Sequence, residues 1–250
     1  MLEAQPHMGD DTSRIFSGET DNRTNAEMYG ETADFFANEI RKRLPVKDGE
    51  YTIADVGSFQ GELLADLLAK LPEYRFKAIA IDINEAALQN NTTTDNKVVA
   101  HAEALPLEDK SVDVAIIRYV LQWNNAEKQK KILSELARVV RSFALLEHVG
   151  SDVIDSDIWR EKTEELFTGE KVSKMKRGEH FFSSKDEVER WMLEAGIDFQ
   201  CIKNRKIDNG ADVYIERYAL TPGEAEQTRS ILGDKNYFQQ TDWAILPKKV

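Results

Sequence analysis

From Thr52 onward, short runs rich in Val, Ile and Ala alternate with helix-length amphipathic segments. This alternation is the pattern of a parallel sheet covered by helices on both faces. The runs predict strands at Thr52–Val56, Ala78–Asp82 (AIAID), Lys97–Ala100, Asp113–Ile117 (DVAII) and Phe143–Leu146. Leu63, Leu64, Leu67, Leu68 and Leu71 mark a helix that stops at Pro72. Ile132, Leu133, Leu136, Val139 and Val140 recur at helical spacing and predict a helix over Ala126–Arg141 with one apolar stripe.

Further on, Ser184 followed three residues later by Glu187 forms a capping box, and Gly196 ends the helix that carries Val188, Trp191 and Met192. Two late strands are expected at Phe199–Ile207 and Thr241–Leu246, with a short helix at Thr221–Leu232 between them. Ala26–Leu44 reads as a helix leading into the sheet, and Val153–Arg177 as a charged helical insertion. With 250 residues, no repeats and no low-complexity linker, the sequence is read as a single domain. Within it we expect an N-terminal helical segment (1–45), a ligand-binding core (46–150), an insertion (151–181) and the last part of the sheet (182–250).

Charge narrows the partners. The net charge of −12 repels a phosphate backbone, so nucleic acid is a poor ligand. The basic run Lys171–Arg177 is ringed by Glu161, Glu164, Glu165, Glu170 and Glu179, which suits a solvated helix face. No apolar stretch approaches the ~20 residues that a bilayer span needs. Met1–Asp10 lacks a secretory pattern, so a cytoplasmic location is the expectation. The single Cys201 makes neither an internal disulfide nor a cysteine-based zinc site, and no metal-ligand spacing is visible. A homodimer is left open.

The turn after the first strand, Ile53–Gly61 (IADVGSFQG), places an acid and two glycines where an open α/β sheet binds its ligand. A dinucleotide cradle wants glycine at three positions that here hold Gly57, Phe59 and Glu62, and an anionic side chain beside two phosphates is unfavourable. A nicotinamide-dependent oxidoreductase is therefore the weaker reading. Asp82 ends the second strand, where an acid can accept hydrogen bonds from two ribose hydroxyls.

Asp55, Gly57, Phe59 and Gly61 resemble the D-x-G-x-G-x-G loop of class I S-adenosylmethionine-dependent methyltransferases, with only the middle glycine missing. Ala100–Ala115 (AHAEALPLEDKSVDVA), followed by IIRYVLQW, resembles the small-molecule methyltransferases of that superfamily. The resemblance implies a Rossmann-like α/β fold with a seven-stranded, mostly parallel sheet in the order 3-2-1-4-5-7-6, and S-adenosylmethionine as cofactor. It puts Gly57, Ser58, Phe59 and Gly61 around the methionine part, Asp82 and Ile83 at the ribose and adenine, Ala102 at the adenine edge and Arg118 near the sulfonium, and counts Asp55 among the cofactor-binding residues. Where relatives often carry an aspartate this chain has His101, so the adenine contact is lost, made by backbone or taken over by Glu103.

The acceptor is expected at the carboxyl ends of the fourth and fifth strands, among Tyr119, Gln122, Trp123, Glu147 and His148. The Glu147–His148 pair draws interest because an imidazole can accept a proton near neutral pH. The resemblance also implies that the region of His180, just before the capping box, closes over the acceptor, and that residues 1–45, with Tyr29 and the segment around Arg14, form a lid on the cofactor. The tetrapeptide that amino methyltransferases of nucleic-acid bases carry after the fourth strand is replaced by Arg118-Tyr119-Val120-Leu121. The expected reaction is thus methyl transfer to oxygen, nitrogen or activated carbon of a small molecule. Alternatives are a catalytically silent relative serving as a partner subunit and an enzyme acting on a carrier-bound or protein acceptor.

Overall fold

The computed structural model describes residues 22–149, 183–194, 196–198, 200–208, 211, 212, 215, 220–233 and 238–246. The elements in chain order are α1 (Asn22–Arg43), β1 (Tyr51–Val56), α2 (Glu62–Lys70), β2 (Phe76–Asp82), α3 (Glu85–Asn90), β3 (Lys97–Val99) and β4 (Val112–Arg118). A 3₁₀ turn (Leu121–Trp123), α4 (Ala126–Val139), β5 (Val140–Val149), α5 (Lys185–Glu194), β6 (Gln200–Asp208), α6 (Pro222–Leu232) and β7 (Phe238–Leu246) follow. The strands form one sheet in the order β3-β2-β1-β4-β5-β7-β6. β1 to β5 pair in parallel, and β7 runs antiparallel between β5 and β6.

Two apolar layers sandwich this sheet, because alternate residues of a strand point to opposite faces. On one side Ile53, Val114, Ile116, Phe143 and Leu145 pack against Phe36 and Ile40 of α1 and Leu64 and Leu67 of α2. On the other, Ala54, Val56, Ile117, Ala144 and Leu146 meet Ile132, Leu133 and Leu136 of α4 and Val188, Trp191 and Met192 of α5. β4 is buried along Val112–Ile117, which explains why its sequence is a continuous apolar run around Asp113 rather than an alternation.

Local signals set most boundaries. Asn84 and Asn125 accept from Ala87 N and Lys128 N, capping α3 and α4. The capping box is present on α5, where Ser184 N donates to Glu187 Oε2 at 2.8 Å and Glu187 N to Ser184 Oγ at 3.2 Å. A second box, Thr221 with Glu224, starts α6. Gly196 closes α5 in a left-handed conformation.

One expectation is corrected: α4 ends at Val139, and Val140 opens β5 directly. Val140 pairs with Val112 of β4, and that sheet contact takes the residue out of the helix its periodicity would have continued. α3 was not anticipated, because its six residues are too short for a periodic signal. The expected insertion at 153–177 lies outside the described residues. Among the described residues, no helix is long and apolar enough to cross a membrane.

Candidate active site

β1 is the middle of the parallel region, flanked by β2 and β4, and it delivers Asp55 to the carboxyl edge with only 2% of its surface exposed. Burial pushes the Asp55 carboxyl up to about 7, opposed by hydrogen bonding to the Ser58 hydroxyl. Asp82 and Glu62 add to the rise, while Arg118 counteracts it. Asp55 Oδ2 has no hydrogen-bond partner among the described residues. An unpaired buried carboxylate oxygen is costly, and a cationic ligand group would satisfy it.

The loop beyond it alternates left-handed residues: Gly57 (φ 76°), Phe59 (φ 49°) and Gly61 (φ 88°). A Cβ on Gly57 would stand 2.2 Å from Val120 Cγ2, and one on Gly61 would stand 2.5 Å from Asn91 Nδ2. Glycine is required at both places by conformation and by space. Phe59 occupies the position of the missing glycine and takes the left-handed conformation anyway, at a cost of roughly 1–2 kcal/mol. The path of the loop is thereby kept.

Asp82 holds that path. Its Oδ2 accepts from Phe59 N and its Oδ1 from Asn84 N, both at 2.8 Å. Each oxygen keeps a further lone pair, so a pair of ligand hydroxyls can still be received. Burial raises the Asp82 carboxyl in spite of the backbone bonds from Asn84, Phe59 and Ile83. Gly57 N and Ser58 N both donate to Ile81 O, so the loop is tied to β2 at two points.

Ala100 N donates to Asp82 O, which brings the segment after β3 beside the same edge. Ala102 and Glu103 are half-buried there, and His101 is exposed. Glu103 Oε1 lies 3.3 Å from Lys128 Nζ of α4 and 3.7 Å from His101 Nδ1. Arg138, which the sequence reading did not single out, clips the rest of this segment to α4. Its Nη1 donates to Leu107 O and Asp109 Oδ1, its Nη2 to Leu105 O and Glu135 Oε2, and its Nε to Glu135 Oε1.

At the ends of β4 and β5, Arg118 and Glu147 pair across adjacent strands. Arg118 Nε donates to Glu147 Oε2 at 2.7 Å, Thr32 Oγ1 of α1 donates to the same oxygen at 2.6 Å, and Tyr119 Oη donates to Oε1 at 3.3 Å. Tyr119 is left-handed (φ 55°), and its ring lies under the Arg118 guanidinium at 4.0 Å. Strained non-glycine backbone of this kind gathers at functional sites.

Glu147 and His148 do not form a pair. Neighbours on a strand face opposite ways, and His148 Nε2 meets Ser183 O at 3.1 Å on the α5 side. Ser183 Oγ donates to Gln129 Oε1 and Gln129 Nε2 to Asn124 O, so His148 belongs to a buried network joining β5, α4 and the start of α5. Gln122 is buried with Oε1 lacking a partner among the described residues, and Trp123 is half-buried. His180 and Arg14 lie outside the described residues, and Tyr29 is placed only as backbone of α1.

Residues 54–163 match the family model described as the methyltransferase domain. This segment is a methyltransferase domain. The glycine cradle and the unpaired Asp55 oxygen suit S-adenosylmethionine, the cofactor that the sequence resemblance implies. The methyltransferase is similar to the YcgJ protein of Bacillus subtilis, at 15% identity and a TM-score of 0.65, over 88% of this chain and 99% of that one. It is similar also to a magnesium protoporphyrin IX methyltransferase from Synechocystis with S-adenosylhomocysteine bound (12% identity, TM-score 0.54, 93% and 90% covered). A third similar structure is a geranyl diphosphate methyltransferase in complex with S-adenosylmethionine (14% identity, TM-score 0.56, 94% of each chain). Comparison with curated proteins gives no significant match.

Proposed function

We propose that this methyltransferase transfers the methyl group to a small molecule whose reactive oxygen, nitrogen or activated carbon approaches over the carboxyl ends of β4 and β5. The observation that carries the reading is Tyr119, a phenol held by Glu147 and by the Arg118 guanidinium on a strained backbone at that edge. Neighbours of this fold that act on magnesium protoporphyrin IX and on geranyl diphosphate support a small acceptor. The net charge of −12 argues against a polyanionic one.

In this reading Asp55, Gly57, Ser58, Phe59 and Gly61 surround the methionine moiety, Asp55 Oδ2 receiving its ammonium. Asp82 takes the ribose hydroxyls, and Ile83 and Ala102 flank the adenine. His101 and Glu103 stand at its outer edge, where Lys128 already engages the Glu103 carboxylate. Arg118, neutralised by Glu147, lines the floor. The bound cofactor supplies an electrophilic methyl group on a sulfonium. The protein's contribution is alignment, which can be worth several kcal/mol, so a dedicated base is optional. Glu147 acts here as the residue that positions Arg118 and Tyr119, and the Tyr119 phenol is the group that meets the acceptor.

The test is an acceptor panel of small hydroxyl, amine, carboxylate and activated-carbon compounds, read by S-adenosylhomocysteine release, with Tyr119→Phe in parallel. Turnover of a small acceptor, reduced at least tenfold in the variant, is expected. Turnover only on acyl chains tethered to a carrier protein would overturn the small-molecule reading.

A further inference from the structure

On α1, Ala33, Phe36, Ala37 and Ile40 are buried and apolar, and Thr32 continues their stripe one turn before Phe36 with none of its surface exposed. A valine has nearly the shape of threonine and would extend the stripe without a polar group. A buried hydroxyl needs a partner, and Thr32 Oγ1 finds it 115 residues away, donating to Glu147 Oε2 at 2.6 Å at the end of β5.

Glu147 Oε2 accepts a second bond, from Arg118 Nε at 2.7 Å, while Tyr119 Oη donates to the other oxygen, Oε1, at 3.3 Å. The Glu147 side chain is wholly buried, so protein donors and not water orient its carboxylate. The torsion that turns a glutamate carboxylate is broad and soft. A single donor on Oε2 leaves the plane room to swing. A second donor, arriving from another element, pins that oxygen and with it the direction of Oε1. The bond to Tyr119 is the longest of the three and is the first to be lost when the plane turns.

We propose that Thr32 is a positioning residue for Tyr119: by pinning Glu147 Oε2 together with Arg118, it aims Oε1 at the Tyr119 phenol and holds that phenol where the acceptor arrives. The inference rests on Tyr119 as the group that meets the acceptor. The main chain cannot substitute for this brace. Tyr119 N donates to Glu147 O at 3.1 Å, which fixes the backbone and leaves the direction of the phenol to the side chains. The Arg118 guanidinium over the Tyr119 ring depends on the same oxygen, because its Nε is bonded to Oε2. Buried polar chains of this kind act as a unit, each member oriented by the next.

The experiment is fluorine NMR of the full chain labelled with meta-fluorotyrosine, the Tyr119 resonance being identified by its absence in Tyr119→Phe. Tyr51 and Tyr74 serve as controls, since their hydroxyls donate to Pro45 O and Leu44 O just past the far end of α1. In Thr32→Val the Tyr119 resonance should shift or split as the phenol takes up more than one direction, while those of Tyr51 and Tyr74 stay in place. Thr32→Ser keeps the hydroxyl and should return the Tyr119 resonance to its wild-type position. The kinetic counterpart uses an acceptor that the panel above turns over. Thr32→Val should lower kcat about tenfold, the rate equivalent of one hydrogen bond, with the KM for S-adenosylmethionine unchanged. Thr32→Ser should recover the rate, and Thr32→Val/Tyr119→Phe should be no slower than Tyr119→Phe alone.

A Tyr119 resonance unmoved in Thr32→Val would overturn the proposal. Equal shifts at Tyr51 and Tyr74, or losses that add in the double variant, would also overturn it and make Thr32 a packing residue of α1. Wild-type turnover in Tyr119→Phe would instead overturn the acceptor role given to Tyr119, and this inference with it.

Discussion

Arg118 and Glu147 form a buried ion pair across β4 and β5, with Nε and Oε2 2.7 Å apart and side chains 8% and 0% exposed. Such a pair is weak evidence for stability as a whole, yet removing one partner strands the other in a desolvated place. Glu147→Ala should therefore cost about 3–5 kcal/mol in denaturant unfolding. Thr32→Val removes one hydrogen bond to a charged group and should cost about 1.5–3 kcal/mol. An Arg118→Met/Glu147→Leu double variant should recover most of the stability lost in Glu147→Ala while losing methyl transfer, because Tyr119 would no longer be held. Equal losses in the single and double variants would contradict this.

Gly57→Ala should abolish cofactor binding, since its Cβ would meet Val120 Cγ2 at 2.2 Å on a backbone with φ of 76°. Adding Val120→Ala removes the steric part and leaves the conformational one, roughly 1–2 kcal/mol. The double variant should therefore bind S-adenosylmethionine measurably, about five- to thirtyfold more weakly than wild type if that penalty falls wholly on the binding-competent loop. By contrast, Phe59→Gly should hold wild-type affinity within about threefold, because the loop already follows the path a glycine would take. Calorimetry on the three variants decides.

Asp55 makes the ligand-free protein less stable as pH rises. Its carboxyl titrates near 7 in the folded state, against about 3.9 in an unfolded chain. Between these values the folded state holds a proton that the unfolded state has released, so the free energy of unfolding falls with increasing pH and levels off above about 7. The full difference is on the order of 4 kcal/mol. Asp55→Asn should remove this slope and should be more stable than wild type at pH 8 without cofactor. Urea unfolding at pH 5, 6.5 and 8 measures it, and parallel curves for the two proteins would refute the assignment.

Arg138→Lys should loosen the segment that follows β3. Lysine offers one point charge where the guanidinium serves two carbonyls and two carboxylates in a fixed fork. A loss of about 2 kcal/mol is expected, together with weaker cofactor affinity, since Ala102 and Glu103 lie on the same segment. Unchanged affinity alongside lowered stability would separate the clip from the site.

The alternation of apolar runs and amphipathic helices was enough to predict a parallel α/β sheet, because each parallel strand must be covered on both faces; the Rossmann-like strand order came from the family resemblance. The loop from Asp55 to Gly61 was legible for a similar reason: its chemistry lies within seven consecutive residues of one turn. Contacts made across the chain were not legible. Nothing local says that Asn91 turns its amide to Ser58, 33 residues away, or that Thr32 reaches Glu147, 115 residues away. The Leu105–Asp109 stretch was read for its resemblance to a family pattern, and its bonds to Arg138 appeared only when α4 was laid beside it.

Glu147 and His148 show the division most clearly. As neighbours in the sequence they looked like one acid–base unit, and the pleat of β5 sends them to opposite layers. Sequence periodicity determined the layers and the cofactor turn, since those follow from backbone geometry and local side-chain pattern. Which buried polar groups meet was decided by tertiary structure alone, because a hydrogen bond depends on distances of about 3 Å between atoms that only the packed sheet brings together.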